Sequence, residues 1–320
     1  MITSIKNKGL ALLILVVLIT GCKNQEGNES NEIEMVSIDT LQGTSLFNTP
    51  LIRRQVDANK DSLQIVNYNN ALERYNNDSL SVENIVWLGR RIAYLGDYKK
   101  AIEIFSKGIK AYPEEAQFYR HRGHRYISTR LFDKAIDDFK KAVELIEGKE
   151  DIVEQDGIPN AQNIPLSTLH NNIWYHLGLA YYLKNDLPNA LEAFKACLES
   201  SNNDDMQVSD RHWLYMILRR MELPEEAAKV LEPVNKDMTI IENQAYYNLL
   251  LFYKGELNID DVSGNNSTGS SEAAKYGVAN WYHYNGDVEE AKKRYQELIN
   301  TGNWAGFGYI AAEADLSRMQ

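Results

Sequence analysis

Cysteine is almost missing from this chain. Two occur in 320 residues, Cys22 and Cys197, so neither a disulfide framework nor a cysteine-built zinc site is available. Positive charge is scarce as well: 34 Lys and Arg face 45 Asp and Glu, a net charge of −11. That balance argues against general nucleic-acid binding, which needs basic surface to release counterions from phosphate. The six histidines (121, 124, 170, 176, 212 and 283) show no metal-ligand spacing with acidic partners. A glycine-rich phosphate loop is lacking too, since the run NNSTGSS has neither the lysine nor the flanking strand. Ser167 before His170 is not set in a nucleophile turn with an oxyanion hole. The expectation is a protein without catalytic residues, metal or cofactor.

Long apolar runs are also absent. Leu10 to Ile19 is unbroken apolar sequence, but ten residues of helix cover about 15 Å, half of the ~30 Å hydrocarbon core. Preceded by Lys6 and Lys8 and closed by Ile19-Thr20-Gly21-Cys22, this is a cleaved leader. Its ending resembles a bacterial lipobox, which implies lipidation of Cys22, palmitate included, and an outer-membrane lipoprotein, periplasmic or surface-exposed. Bacterial lipoproteins carry three acyl chains, and stable anchoring takes more than one. Removing a leader with two lysines takes the net charge to −13. Cys197 reads as a buried small apolar side chain.

What the chain has in quantity is internal repetition. Gly89, Ala101 and Phe105 recur as Gly123, Ala135 and Phe139, each 34 residues on. A small residue in a first helix, then alanine and an aromatic in a second, is the pattern of helical-hairpin repeats that stack because one alone cannot bury its apolar face. Repeats are expected at 82–115, 116–149, 171–204 and 208–241, with Tyr215 where a small residue belongs in the fourth. A fifth is degenerate, and a sixth spans 272–305. Between the second and third, 21 extra residues fall around GKEDIVEQDGIPNAQNIPLSTL, where Gly157, Pro159 and Pro165 prevent a helix from running through.

The repeat resembles the tetratricopeptide repeat. The segments WLGRRIAYLG, RHRGHRY, DGIPNAQNIPLSTLHNNIWYHLGLAYYL, HWLYMILRR and GFGYIAAEADL together resemble a family of bacterial tetratricopeptide proteins of unassigned function over residues 80–320. The resemblance implies an all-α superhelix of about five to six helical hairpins, an α-solenoid that binds protein. It supplies no catalytic residues.

The expected organisation is a leader at 1–21, Cys22 with a flexible tether at 22–50 and a capping helix region at 51–81. Repeats one and two follow at 82–149, an insertion at 150–170 and repeats three and four at 171–241. A degenerate repeat with a flexible loop occupies 242–271, and repeat six with a C-terminal capping helix occupies 272–320. In this architecture the first helices line a concave groove. The groove is expected to show Arg90, Tyr94, Arg120, His124, Asn172, Tyr175, His212, Arg219 and Arg220. The second repeat's first helix carries Arg120, Arg122 and Arg125, and Arg130 follows in its turn, with no acidic residue after Ala116. In an anionic chain this points to a membrane-anchored adaptor holding the carboxylates of an acidic partner protein or peptide, since a guanidinium fork pairs with a carboxylate through two parallel bonds. The competing reading pairs these arginines with Asp137, Asp138 and Glu144. An alternative function is a glycan- or solute-binding lipoprotein of an outer-membrane uptake system, with residues 150–176 forming its pocket.

Overall fold

The computed structural model describes residues 40–263 and 272–319. The leader, Cys22, the tether up to residue 39 and the run 264–271 lie outside the described residues.

Each repeat begins from the same local chemistry. Six helical hairpins turn through a residue with positive φ: Gly96, Arg130, Asn185, Glu222, Gly255 and Gly286. Glycine and asparagine adopt this left-handed conformation at least cost. In three turns an aspartate follows at once and caps the second helix: Asp97 accepts from the Lys100 N–H, Asp186 from Asn189 and Asp287 from Glu290.

The hairpins pair α2 (Val82–Tyr94) with α3 (Tyr98–Ala111), and α4 (Ala116–Ser128) with α5 (Phe132–Ile146). Next come α6 (Leu169–Leu183) with α7 (Leu187–Ser200), and α8 (Asp204–Arg220) with the short α9 (Pro224–Leu231). The last two are α10 (Gln244–Tyr253) with α11 (Ile259–Ser263), and α12 (Glu272–Tyr284) with α13 (Val288–Ile299). A single helix precedes them, α1 (Ser62–Asn77), and another follows, α14 (Phe307–Arg318). This is an all-α tetratricopeptide-type solenoid.

Glycine sets how closely each hairpin closes. A Cβ on Gly89, Gly123 or Gly178 would stand 2.4, 2.8 or 2.6 Å from the ring of Phe105, Phe139 or Phe194. Those three rings are at most 1% exposed. In the fourth hairpin Tyr215 takes the glycine's place and stacks on Tyr253, 4.5 Å between ring centroids. First helices also pack on one another, α2 on α4, α4 on α6, α6 on α8 and α10 on both α8 and α12, which places them on the inner side of the curve.

Three features depart from the expected organisation. Residues 40–50 are not a free tether, because β1 (Leu41–Thr44) pairs antiparallel with β2 (Pro50–Ile52). The hairpin is held by distant partners: Gly43 lies against the Thr129 carbonyl, and the Leu46 N–H donates to Glu313. The insertion is not structureless either. Val153 bridges Thr168 in antiparallel sense, and the Leu169 N–H donates to the Ile152 carbonyl. Finally, α14 is no polar cap. It packs on α12, α13 and back on α6, and its Glu313 and Asp315 are at most 1% exposed. Their charges are matched to arginines, Glu313 to the buried Arg130 and Asp315 to the partly buried Arg220.

Candidate functional site

The site lies on the inner side of the first two repeats, where the insertion crosses α2 and α4. Arg90, Arg91 and Tyr94 project from the last turns of α2, and Arg120, His121, His124 and Arg125 from successive turns of α4. The insertion runs over them in extended form. Arg90 donates from Nη2 to the Gln155 carbonyl at 2.7 Å, and Arg91 from Nη1 to the Gly157 carbonyl at 2.7 Å. Gly157 fits against Tyr94 so closely that a Cβ there would fall 1.8 Å from the phenol oxygen.

Between these anchors Glu154 turns inward. Its Oε2 lies 3.0 Å from Arg120 Nε and accepts from Asn172 Nδ2 at 3.2 Å. Arg120 in turn donates from Nη1 to His121 Nδ1 at 3.0 Å. Burial lowers the Arg120 pKa and Glu154 works against that shift. Burial, with Arg120 next, pushes His121 well below the ordinary histidine range. The ring is therefore neutral, and with Nδ1 accepting, its proton sits on Nε2. His124 and His176 are held down in the same way by burial, with Arg125 the next contributor at His124 and Arg120 at His176.

Three cavities open here, one of them, of about 330 Å³, on the far side of the insertion between Trp87, Gln117, Ile152 and Val153; the other two hold more of the expected site residues. A trough of about 480 Å³ runs beside the insertion, lined among others by Arg90, Tyr94, Asp156, Ile158, Ser167 and Glu242. Behind Glu154 an inner chamber of about 100 Å³ is lined by Arg90, Arg120, Arg125, His121, His124 and Tyr94, with Ala93, Phe105 and Glu154 completing it.

The expected groove is thus only partly assembled. Arg90, Tyr94, Arg120 and His124 come together, and Asn172 joins them through Glu154. His124 does not face an open groove, since its ring sits 4.5 Å from His176 and 5.1 Å from Phe307 of α14. Tyr175 belongs to the core, its hydroxyl between Trp213 Nε1 at 2.6 Å and Tyr246 Oη at 3.2 Å. His212 is wholly buried against Trp213, Tyr246 and Tyr253. Arg220 is spent on Asp315 at 3.1 Å, and Arg219 lies over the Tyr284 ring and donates to Asn285. None of these four lines the two cavities. The reason is geometric: α14 covers His124 and Arg220 through Phe307 and Asp315, while Tyr175, His212 and Arg219 are covered by side chains of α8, α10 and α12.

Arginine pairing is divided. Arg122 pairs with Asp138 at 2.7 Å, as the competing reading held, while Arg120 and Arg130 find Glu154 and Glu313, which that reading did not name. Arg125 makes no ion pair among the described residues; it rests over the Tyr98 ring at 5.2 Å, and burial lowers its pKa to about 10. Residues 150–176 do contribute to the trough, but through Glu154 to Asn160 and Ser167 rather than through Trp174 or His176.

A tetratricopeptide-repeat model matches residues 88–150 and a second matches 172–204. The chain is 25% identical over 136 residues to a BBSome complex member of Bos taurus, covering 42% of this chain and 22% of that protein. It is 24% identical over 217 residues to a TPR repeat-containing protein of Methanocaldococcus jannaschii, covering 61% of this chain and 35% of that one. The chain therefore spans about a third or less of the length of either relative. Among solved structures it is similar to YrrB, a TPR protein with an unusual peptide-binding site, at 15% identity, TM-score 0.41, 72% of this chain and 91% of that one. It is also similar to MamA, at 15% identity, TM-score 0.42, 64% of this chain and 100% of that one. Hairpin geometry, glycine–phenylalanine closure and the matched segments together identify this chain as a tetratricopeptide-repeat-containing protein.

Proposed function

We propose that this chain is a non-catalytic scaffold that holds an extended segment of a partner protein in the trough beside its insertion, tethered to a bacterial outer membrane through lipidated Cys22. The observation that carries the reading is the insertion itself. An extended acidic segment already lies on this face, with arginines on its carbonyls and an Arg–Asn pair on its carboxylate. The same segment exposes Ile152, Val153, Ile158 and Ile164 at 44–66%, an unusual density of large apolar side chains for surface that meets only water. A partner strand in the trough would bury Ile158, and one that continued over the insertion would reach Ile152 and Val153.

The trough is of mixed charge, Arg90 and Arg120 against Glu154, Asp156 and Glu242, so a purely acidic guest is not what it favours. A segment offering a carboxylate to Arg90 and a basic side chain to Asp156 and Glu242 is complementary. Charge of this kind sets register and on-rate more than affinity.

The test is site-specific photocrosslinking in the native host. Probes at Ile158 and Ile241 should capture the same protein, Arg90→Glu should abolish that capture, and a probe at Lys141 should not produce it. Equal capture from all three positions would defeat the reading. For the anchor, Cys22→Ser should move the protein from the membrane to the soluble fraction, and unchanged membrane recovery would remove the tether from the proposal.

A further inference from the structure

We infer that the inner chamber behind Glu154 is a binding site for one small oxyanion of phosphate or sulfate type. The chamber opens off the trough that would take a protein segment, and the inference does not depend on there being such a partner.

Charge is the first argument. Three guanidiniums, Arg90, Arg120 and Arg125, line the chamber against a single carboxylate, Glu154. The carboxylates Asp156 and Glu242 line the outer trough and not this wall. The chamber histidines are neutral, held so by burial, so the wall carries two positive charges more than negative ones. Among the described residues Arg125 has no ion pair and lies over the face of Tyr98, a contact that leaves its planar donor fork unfilled.

Unused donors are the second argument. Arg120 Nε and His121 Nε2 are buried with no hydrogen-bond partner, and their residues are only 8% and 4% exposed. Arg120 Nε lies 3.0 Å from Glu154 Oε2, but its N–H is not aimed at that oxygen, and His121 Nε2 is 3.7 Å from Oε1. A buried donor left without an acceptor is costly. An anion that accepts from both, and from the Arg125 fork, removes that cost. The guanidinium and imidazole N–H donors of the wall suit a ligand rich in acceptor oxygens.

Size is the third argument. About 100 Å³ is less than the roughly 150 Å³ cavity that takes a benzene ring. One tetrahedral oxyanion fits and a nucleotide does not. Arg90, Tyr94, Arg120 and Glu154 line both chamber and trough, which gives the ion a route in. The same opening admits a phosphoryl group carried on a side chain in the trough, so free ion and phosphorylated segment share one chemistry.

Titration calorimetry on the folded chain with inorganic phosphate tests the site. Wild type should bind one ion saturably, Arg125→Met should weaken binding at least about tenfold, and Lys141→Met should leave it unchanged. Glu154→Gln should tighten binding several-fold, because it removes the only competing negative charge on the wall. Opposed effects from Arg125→Met and Glu154→Gln do not arise from damaged folding. A phosphoserine peptide that binds more tightly than inorganic phosphate, with its unphosphorylated twin silent, would assign the ion to a partner. If neither form of phosphate binds saturably, or if Arg125→Met and Glu154→Gln leave binding unchanged, the inference is overturned.

Discussion

Arg130 and Glu313 stand 183 residues apart and form a buried ion pair, Nε to Oε2 at 2.8 Å, with side chains 2% and 0% exposed. Arg130 also donates to the carbonyls of Ser128 and Trp304, and the second oxygen of Glu313 accepts from the Leu46 N–H. One pair therefore joins the N-terminal hairpin, the turn of the second repeat and the last helix. It also explains why an arginine occupies a left-handed turn position, φ 64°, that glycine fills in three of the other five repeats.

Removing one partner leaves a buried charge alone. Glu313→Gln is expected to destabilise the protein by about 3–5 kcal/mol, read from urea unfolding. Arg130→Gly relieves the backbone strain, worth about 1 kcal/mol, yet should still be less stable than wild type. A Gly variant as stable as the parent would show that the pair contributes no more than the strain that the arginine imposes.

Hairpin closure depends on glycine under a phenylalanine. Gly123→Ala puts a methyl 2.8 Å from the Phe139 ring, inside a core with no room to yield, and should cost about 1–3 kcal/mol. Gly148→Ala, where nothing lies within 4 Å but φ is 70°, carries only the conformational cost of about 1 kcal/mol. Thermal melts of the two side by side separate packing from backbone strain.

The insertion should detach without unfolding the array. Gly157→Ala drives a methyl into the Tyr94 hydroxyl and breaks the Arg91 bond to the Gly157 carbonyl. Faster amide exchange and protease cleavage are expected within residues 152–165, with the exchange of α6 and α8 unchanged. Equal loss of protection in the insertion and in α6 and α8 would mean that the insertion and the array open as one.

Acid should destabilise the protein through its buried histidines. Burial holds His212 at about 3, against about 6.5 for an unfolded histidine. Its contribution is present in full above pH 6.5 and falls as pH drops towards 3, because only the unfolded ring takes up the proton. His121, His124 and His176 act in the same sense. Asp210, raised by burial, acts in the opposite one. His212→Gln should therefore flatten the pH dependence of stability below pH 6.5 by about 1.4 kcal/mol per pH unit. Parallel curves for variant and wild type would place the ring's titration elsewhere.

Read from the sequence alone, the spacing of Gly89, Ala101 and Phe105 against Gly123, Ala135 and Phe139 determined the fold. Each hairpin closes on itself through contacts 16 residues apart, and such local packing leaves a periodic record. The insertion and the arginine-rich first helix of repeat two were legible for the same reason, as breaks in a regular pattern. What each arginine pairs with was not, because Arg120 meets Glu154, Arg220 meets Asp315 and Arg130 meets Glu313 across turns of the solenoid. Only the tertiary structure decided that α14 lies on the inner face, that Tyr175 packs against the core and His212 lies within it, and that Arg125 has no carboxylate partner among the described residues. Periodicity constrains neighbours along the chain, whereas charge pairing is settled by whichever groups the curvature brings together out of water.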